Sequence, residues 1–344
     1  MIFVGLFIIL AVVLFLPFSV KIIEEELEIF LFLMGCVAVS ITSQWSTGLV
    51  KEASSEPIKI TLAVLAAGFL FKFLQKPISH NVNRIADTIG VKLFAFLLIA
   101  GLGFLSSVIT AIIAALVLVE IISCLTLDRK HEIFLVVLAC FSIGLGAALT
   151  PIGEPLSTIV LAKLKGAPTH ADFFFLLRHL WFFIVSGVLL FGLLGAVLLP
   201  HKLQKTHGLT ETKKENIKDI LLRCLKVYLF VVALVLLGRG FEPIVEAYVS
   251  KVSPQGLFWL NMLSAVVDNA TLAAAELTPF MSILQIKSAL LGLLIAGGML
   301  IPGNIPNIIC AGKLKIKSSD WAKFGLPLGL AVMLMGFFLL MLIG

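Results

Sequence analysis

Residues 263–271 read Leu-Ser-Ala-Val-Val-Asp-Asn-Ala-Thr, and residues 297–307 read Gly-Gly-Met-Leu-Ile-Pro-Gly-Asn-Ile-Pro-Asn. Each is a polar, helix-breaking island inside apolar sequence. The front half carries counterparts in the same order: Leu-Ser-Ser-Val-Ile-Thr at 105–110, and Gly-Ala-Ala-Leu-Thr-Pro-Ile-Gly-Glu-Pro at 146–155. A helix that breaks inside a hydrocarbon layer must find polar partners or a wet cavity, because lipid supplies no hydrogen bonds. Two such breaks, repeated in two halves, set the expected fold.

Working outward, the composition fits that setting. The chain has 344 residues, 60% hydrophobic and 13% charged, with a mean hydropathy of +1.12. A soluble domain is nearer a quarter charged. A β-barrel would alternate in polarity rather than run apolar. The expectation is an all-α polytopic membrane protein, a single integral domain over 1–344. The first apolar run lacks a basic leader and a small-residue cleavage site, so it reads as a retained span. The cysteines at 36, 124, 140, 224 and 310 are scattered, with no CxxC or Cys/His cluster, and read as buried free thiols. No metal or redox cofactor is expected.

Plain spans are expected over Ile2–Phe18, Leu27–Ile41, Ile58–Phe73, Phe173–Leu199, Ile220–Leu237 and Trp321–Ile343. A crossing takes about 20 residues. Four other regions are interrupted. Lys92–Cys124 and Leu257–Pro279 are apolar, broken near Ser106–Thr110 and Asp268–Thr271, and read as re-entrant hairpins. Glu132–Lys163 and Leu284–Lys313 are spans broken at Thr150–Pro155 and Pro302–Pro306. Prolines there remove donors and glycines permit unwinding. Pro77–Gly90 and Phe241–Val252 read either as interfacial connecting helices or as solvated loops.

The net charge of +6 sits in loops and reads as orientation, not nucleic-acid binding. With re-entrant hairpins and crossing broken helices, most basic residues fall on one side, including Arg84, Lys92, Arg129, the 202–226 stretch and Lys313–Lys323. That side is expected to be cytoplasmic, with both termini outside and the protein in the plasma membrane. The halves 58–199 and 219–344 then run in opposite senses, as inverted repeats.

Asp268 is the sharpest candidate residue. A carboxylate at membrane depth costs about 3 kcal/mol unless it meets a partner or a cavity. It can bind Na⁺ through oxygen, or carry a proton. Asn269 and Thr271 add neutral oxygens, and Asp268 with Asn269 forms the Na⁺ candidate pair. Glu154 is the second acid, flanked by Thr150, Gly153 and Ser157. Asn304 and Asn307 offer amides at the back break, as ligands or as helix caps. Ser106, Ser107 and Thr110 mark the front hairpin, with Thr110 opposite Asp268. Glu120 and Glu276 read as interfacial. No HExxH, P-loop or GxSxG is present, so no enzyme activity is expected.

At these residues the chain resembles the ion-transporter superfamily of sodium/proton antiporters, divalent-anion/sodium symporters, citrate carriers and arsenite-type permeases. The resemblance runs from about Ile58 onward and is nearest to the branch of predicted cation transporters. Its carriers are Ser264–Thr271, Thr150–Pro155 and Pro302–Asn307. The resemblance implies a transport core of two hairpins and two broken helices, a site between tips and breaks, and a scaffold that forms a homodimer. Dicarboxylate members carry Ser-Asn-Thr at both tips. Here the tips read Ser106-Ser107-Val108 and Asp268-Asn269-Ala270-Thr271, which disfavours a carboxylate substrate. The expected activity is secondary active cation transport of the Na⁺/H⁺ antiport type. Alternatives are Na⁺-coupled symport of a small anion, or a channel or non-transporting scaffold.

Overall fold

The computed structural model describes residues 2–20, 22–23, 26–55, 57–58, 61–62, 65–66, 69, 85, 88–125, 127–199, 217–248, 252–267, 269–278 and 280–343. Among these the chain is all-helical, with no strand. In order the helices are α1 (Ile2–Ser19), α2 (Leu27–Thr42), α3 (Val91–Ile109), α4 (Ala111–Cys124), α5 (Arg129–Ala147), α6 (Pro155–Leu164), α7 (Phe175–Leu198) and α8 (Ile217–Tyr248). They continue as α9 (Pro254–Leu260), α10 (Asn269–Glu276), α11 (Ile283–Ala296), α12 (Ile305–Leu314) and α13 (Ser318–Ile343). Residues 47–55 are also helical. Among the described residues, five helical stretches are long and apolar enough to cross a membrane: Val91–Ile109, Arg129–Ala147, Phe175–Leu198, Cys224–Ile244 and Ser318–Ile343. Most of the expected span at Ile58–Phe73, the Pro77–Gly90 connector and the basic loop 201–216 lie outside the described residues.

Each interrupted segment has a local cause. The chain between α3 and α4 turns on Thr110 alone, which takes φ 77°, a backbone region disfavoured by Cβ. Between α5 and α6 the helix stops at Ala147 and restarts at Pro155. A proline in the first helical turn loses no intrahelical bond there. The back half does the same with η-turns: α9 tightens into a 3₁₀ turn over Asn261–Ala265, and a 3₁₀ turn at Ile301–Gly303 leads to α12, again with proline in its first turn. α11 starts on a capping box between Ser282 and Gln285, which satisfies two orphan N–H groups.

The interrupted helices pack in a repeating scheme. α3 lies on α5, and α9 lies on α11. The later arms exchange: α4 packs on α12, and α6 on α10. Matching hydroxyls tie the first pairs. Ser106 Oγ donates to the Ile143 carbonyl at 3.0 Å, and Ser264 Oγ to the Leu293 carbonyl at 3.1 Å. The approach of α3 to α5 depends on Gly146, where an added Cβ would lie 1.7 Å from the Gly103 carbonyl oxygen. Most of α5 and α11 is buried, so these two helices form the centre.

A second body flanks this core. α2 packs along α8, and α1 covers α2. Lys226 of α8 pairs with Glu26 and Glu28 at the start of α2. α8 is longer than the sequence suggests. It continues through Pro243 to Tyr248, absorbing most of the 241–252 stretch expected as a separate connector or loop. Phe241 is buried and Arg239 pairs with Glu242 one turn on, so both apolar packing and an i,i+3 ion pair favour continuing the helix.

Candidate functional site

A cavity of about 810 Å³ opens between the core and the flanking body. Its core wall is made by the starts of four helices. Ala111 opens α4, Pro155 opens α6, Asn269 opens α10 and Ile305 opens α12, and all four line the cavity. Thr110, Gly153, Glu154 and Asn304 stand just before three of those starts and line it too. The first turn of a helix presents unpaired N–H groups and the positive end of its dipole. Four such ends on one space make a strongly polarising wall.

Glu154, Asn269 and Asn304 are all buried, at 6%, 3% and 4% exposed. Glu154 is the N-cap of α6 and Asn304 of α12. A carboxylate at the first position offsets the α6 dipole. The Asn269 Nδ2 donor has no hydrogen-bond partner among the described residues. A buried donor left unmet costs about 1–3 kcal/mol, so this amide is a ready contact for a bound molecule or water. The Asn304 side chain reaches Gly144 of α5, where a Cβ would stand 2.6 Å from Nδ2. Gly144 therefore leaves room for a side chain of the opposite half.

Of the other expected residues, Ser157 is buried with its Oγ unmet among the described residues, and the rest that are described fasten the breaks rather than line the cavity. Thr150 Oγ1 donates to the Ser107 carbonyl and accepts from Ile152 N–H. Ala111 N–H donates to the Gly153 carbonyl at 2.8 Å, stitching the start of α4 to the break between α5 and α6. Ser107 donates within α3 to the Phe104 carbonyl, and Ser106 shares its single hydroxyl proton between the Gly103 and Ile143 carbonyls. Asn307 Nδ2 donates to the carbonyls of Gly297 and Leu300, both at 2.8 Å, and so closes the back break. Asp268 and the Thr271 side chain lie outside the described residues; Thr271 itself falls in α10.

The opposite wall holds a charged group that the sequence did not announce. Arg239 of α8 donates to Glu242 at 2.8 Å and to Glu52 at 3.5 Å, and all three line the cavity. A permanent cation thus lines the same cavity as the breaks, from the wall opposite them. Glu52 and Arg239 lie 187 positions apart, so no local pattern joins them.

Two buried acids are more enclosed than their sequence surroundings indicate. Glu276 is 5% exposed and accepts from Asn261 Nδ2 at 2.9 Å. Glu120 of α4 forms a buried ion pair with Lys313 of α12. Neither lines the cavity described above. Among the described residues no group of three or more His, Cys, Asp or Glu could hold a metal ion.

The chain belongs to the family described as protein of unknown function (DUF1646), whose pattern matches residues 3–343. No curated protein matches it.

Proposed function

We propose that the protein is a secondary active cation transporter of the Na⁺/H⁺ antiport type, in which an inorganic cation and a proton use the same cavity in turn. The observation that carries this reading is the charge on the cavity wall. Among the described lining residues Glu52, Glu154 and Glu242 face one base, Arg239, and the sequence adds Asp268 directly before Asn269. Carboxylates in a confined polar space bind hard cations and protons in competition. Asp268 and Asn269 are the Na⁺ ligands in this reading, with Glu154 as the second proton-carrying acid. Transport, rather than catalysis, is the role assigned.

In the same reading the halves 58–199 and 219–344 are inverted repeats with two re-entrant hairpins and two broken transmembrane helices. The exchanged packing of α4 with α12 and α6 with α10, and the paired hydroxyl contacts of Ser106 and Ser264, support it. Discontinuous helices meeting at a polar cavity are how many secondary transporters build a site. The core would move against the α1, α2 and α8 body, which would also supply a homodimer contact. The proposed location is the plasma membrane with both termini outside.

The test is proton flux in proteoliposomes with a trapped pH dye as Na⁺, Li⁺, K⁺ or Ca²⁺ is added. Cation-driven proton movement in the wild type, lost in Asp268→Asn, is the expected result. A wild type that answers no cation refutes antiport.

A second reading, Na⁺-coupled symport of a small anion, is favoured by the four helix starts, by Arg239 and by the Asn269 Nδ2 donor, unmet among the described residues. Helix N-termini stabilise anions. Na⁺-dependent uptake of a labelled anion, without countertransport of protons, distinguishes it.

A further inference from the structure

We propose that the groove between the start of α3 and the end of α7 is a specific seat for an anionic phospholipid, its phosphate on Lys92 and its upper acyl chain along the apolar wall. The groove is shallow and open, with a volume of about 470 Å³, and is lined by Lys92, Leu93, Phe96, Leu193, Ala196 and Val197. Apart from Lys92 its lining residues are wholly apolar. Ala196 stands between the larger Leu193 and Val197 and leaves the space open.

The two halves of the groove match the two halves of a lipid. Lys92 lies in the first turn of α3, and Leu193–Val197 in the last turns of α7, so the amine marks one end of both helices. Lys92 makes no ion pair among the described residues. A lysine at this end of a helix is opposed by the dipole, and an anion beside it relieves that repulsion. The N-cap is Gly90, which offers no side-chain acceptor, and the first helical bond is Phe94 N–H to the Gly90 carbonyl. The preceding N–H groups therefore add to the positive end. From Lys92 to Phe96 the helix rises about 6 Å, enough for a glycerol ester and the first methylenes. A zwitterionic headgroup would meet the same wall without net charge to match Lys92. Seating here uses none of the residues that line the cavity, so its outcome is separate from that of transport.

The full-length protein in neutral detergent is titrated with phosphatidylglycerol and with phosphatidylcholine of the same acyl chains, and retained lipid is measured by native mass spectrometry. The wild type is expected to retain the anionic lipid about fivefold better, as one lysine near an anionic surface provides. Lys92→Gln should erase that preference and Lys92→Arg keep it. Ala196→Phe, which fills the groove with Lys92 intact, should lower retention of both lipids. Equal retention of the two lipids by wild type overturns the proposal. So does unchanged retention in both Lys92→Gln and Ala196→Phe, or retention of soluble glycerol phosphate in place of lipid.

Discussion

Glu154 and Asn304 hold the same extended backbone conformation, φ −155° and ψ 161° against φ −154° and ψ 146°. Each ends a break, caps a ten-residue half-helix with proline in its first turn, and lines the same cavity. What differs is charge: a carboxylate on the front break, an amide on the back. Glu154→Gln makes the two caps alike. Cation-driven proton flux is expected to fall at least about tenfold, because a buried acid that exchanges a proton has no neutral substitute. Wild-type flux in Glu154→Gln removes this acid from the coupling scheme.

Arg239 separates the two functional readings. Arg239→Gln leaves Glu52 and Glu242 without their shared cation and makes the cavity more negative. For a cation carrier, the concentration of Na⁺ giving half-maximal flux should drop several-fold, by the attraction of one more unscreened carboxylate. For an anion carrier, uptake should be lost. Both are read from flux against substrate concentration in proteoliposomes.

Gly146 tests the close seating of α3 on α5. An alanine there would place Cβ 1.7 Å from the Gly103 carbonyl oxygen, so the helices must part. Gly146→Ala is expected to destabilise by about 2 kcal/mol or more. At Gly101 nothing lies within 4 Å of an added Cβ, and Gly101→Ala should be neutral or stabilise by up to about 1 kcal/mol through helix propensity. Thermal unfolding in detergent compares the two, and equal effects would contradict the seating.

Asn307 holds the back break shut. Asn307→Ala leaves the Gly297 and Leu300 carbonyls without their shared donor. The expected loss is about 1–3 kcal/mol. Hydrogen exchange should rise at 297–304 and leave 148–154 unchanged. Protection that is unaltered at 297–304 means water or the backbone replaces the amide without loss.

Acid should loosen the turn before α7. Arg178 hydrogen-bonds Asp172 through both terminal nitrogens, at 2.6 and 3.0 Å, and this holds the Asp172 carboxyl below its ordinary value. A carboxylate with a depressed folded pKa stabilises above its unfolded pKa and loses that contribution as pH falls through the folded one. Protection of the amides at 172–178, relative to their intrinsic exchange at each pH, is expected to fall below the ordinary aspartate range in the wild type. In Asp172→Asn protection should be low and independent of pH.

The breaks were legible because each places hydroxyls, amides, glycine or proline where lipid would tolerate none. That signal located Thr110, Glu154 and Asn304 within a residue or two of the observed helix ends. It could not tell lining from fastening. Thr150, Ser106 and Asn307 look like ligands in sequence, yet their polar atoms turn to carbonyls of the neighbouring helix end. The Glu52–Arg239–Glu242 group was legible only in part: Arg239 and Glu242 stand three residues apart on α8, whereas Glu52 lies 187 positions away and joins them only through packing of α8 beside residues 47–55. Glu276 is followed by Thr278 and Pro279, a surface signature, but Asn261 of the preceding turn reaches it first.

Because α4 finds its neighbour in α12, and α6 finds its own in α10, neither half can complete itself as it leaves the ribosome. The short front arms must wait, still polar at their open ends, while the rest of the chain is synthesised. Quality control during membrane insertion should therefore act late, on the joining of the halves, and a chain truncated after α7 should be recognised as unfinished and degraded.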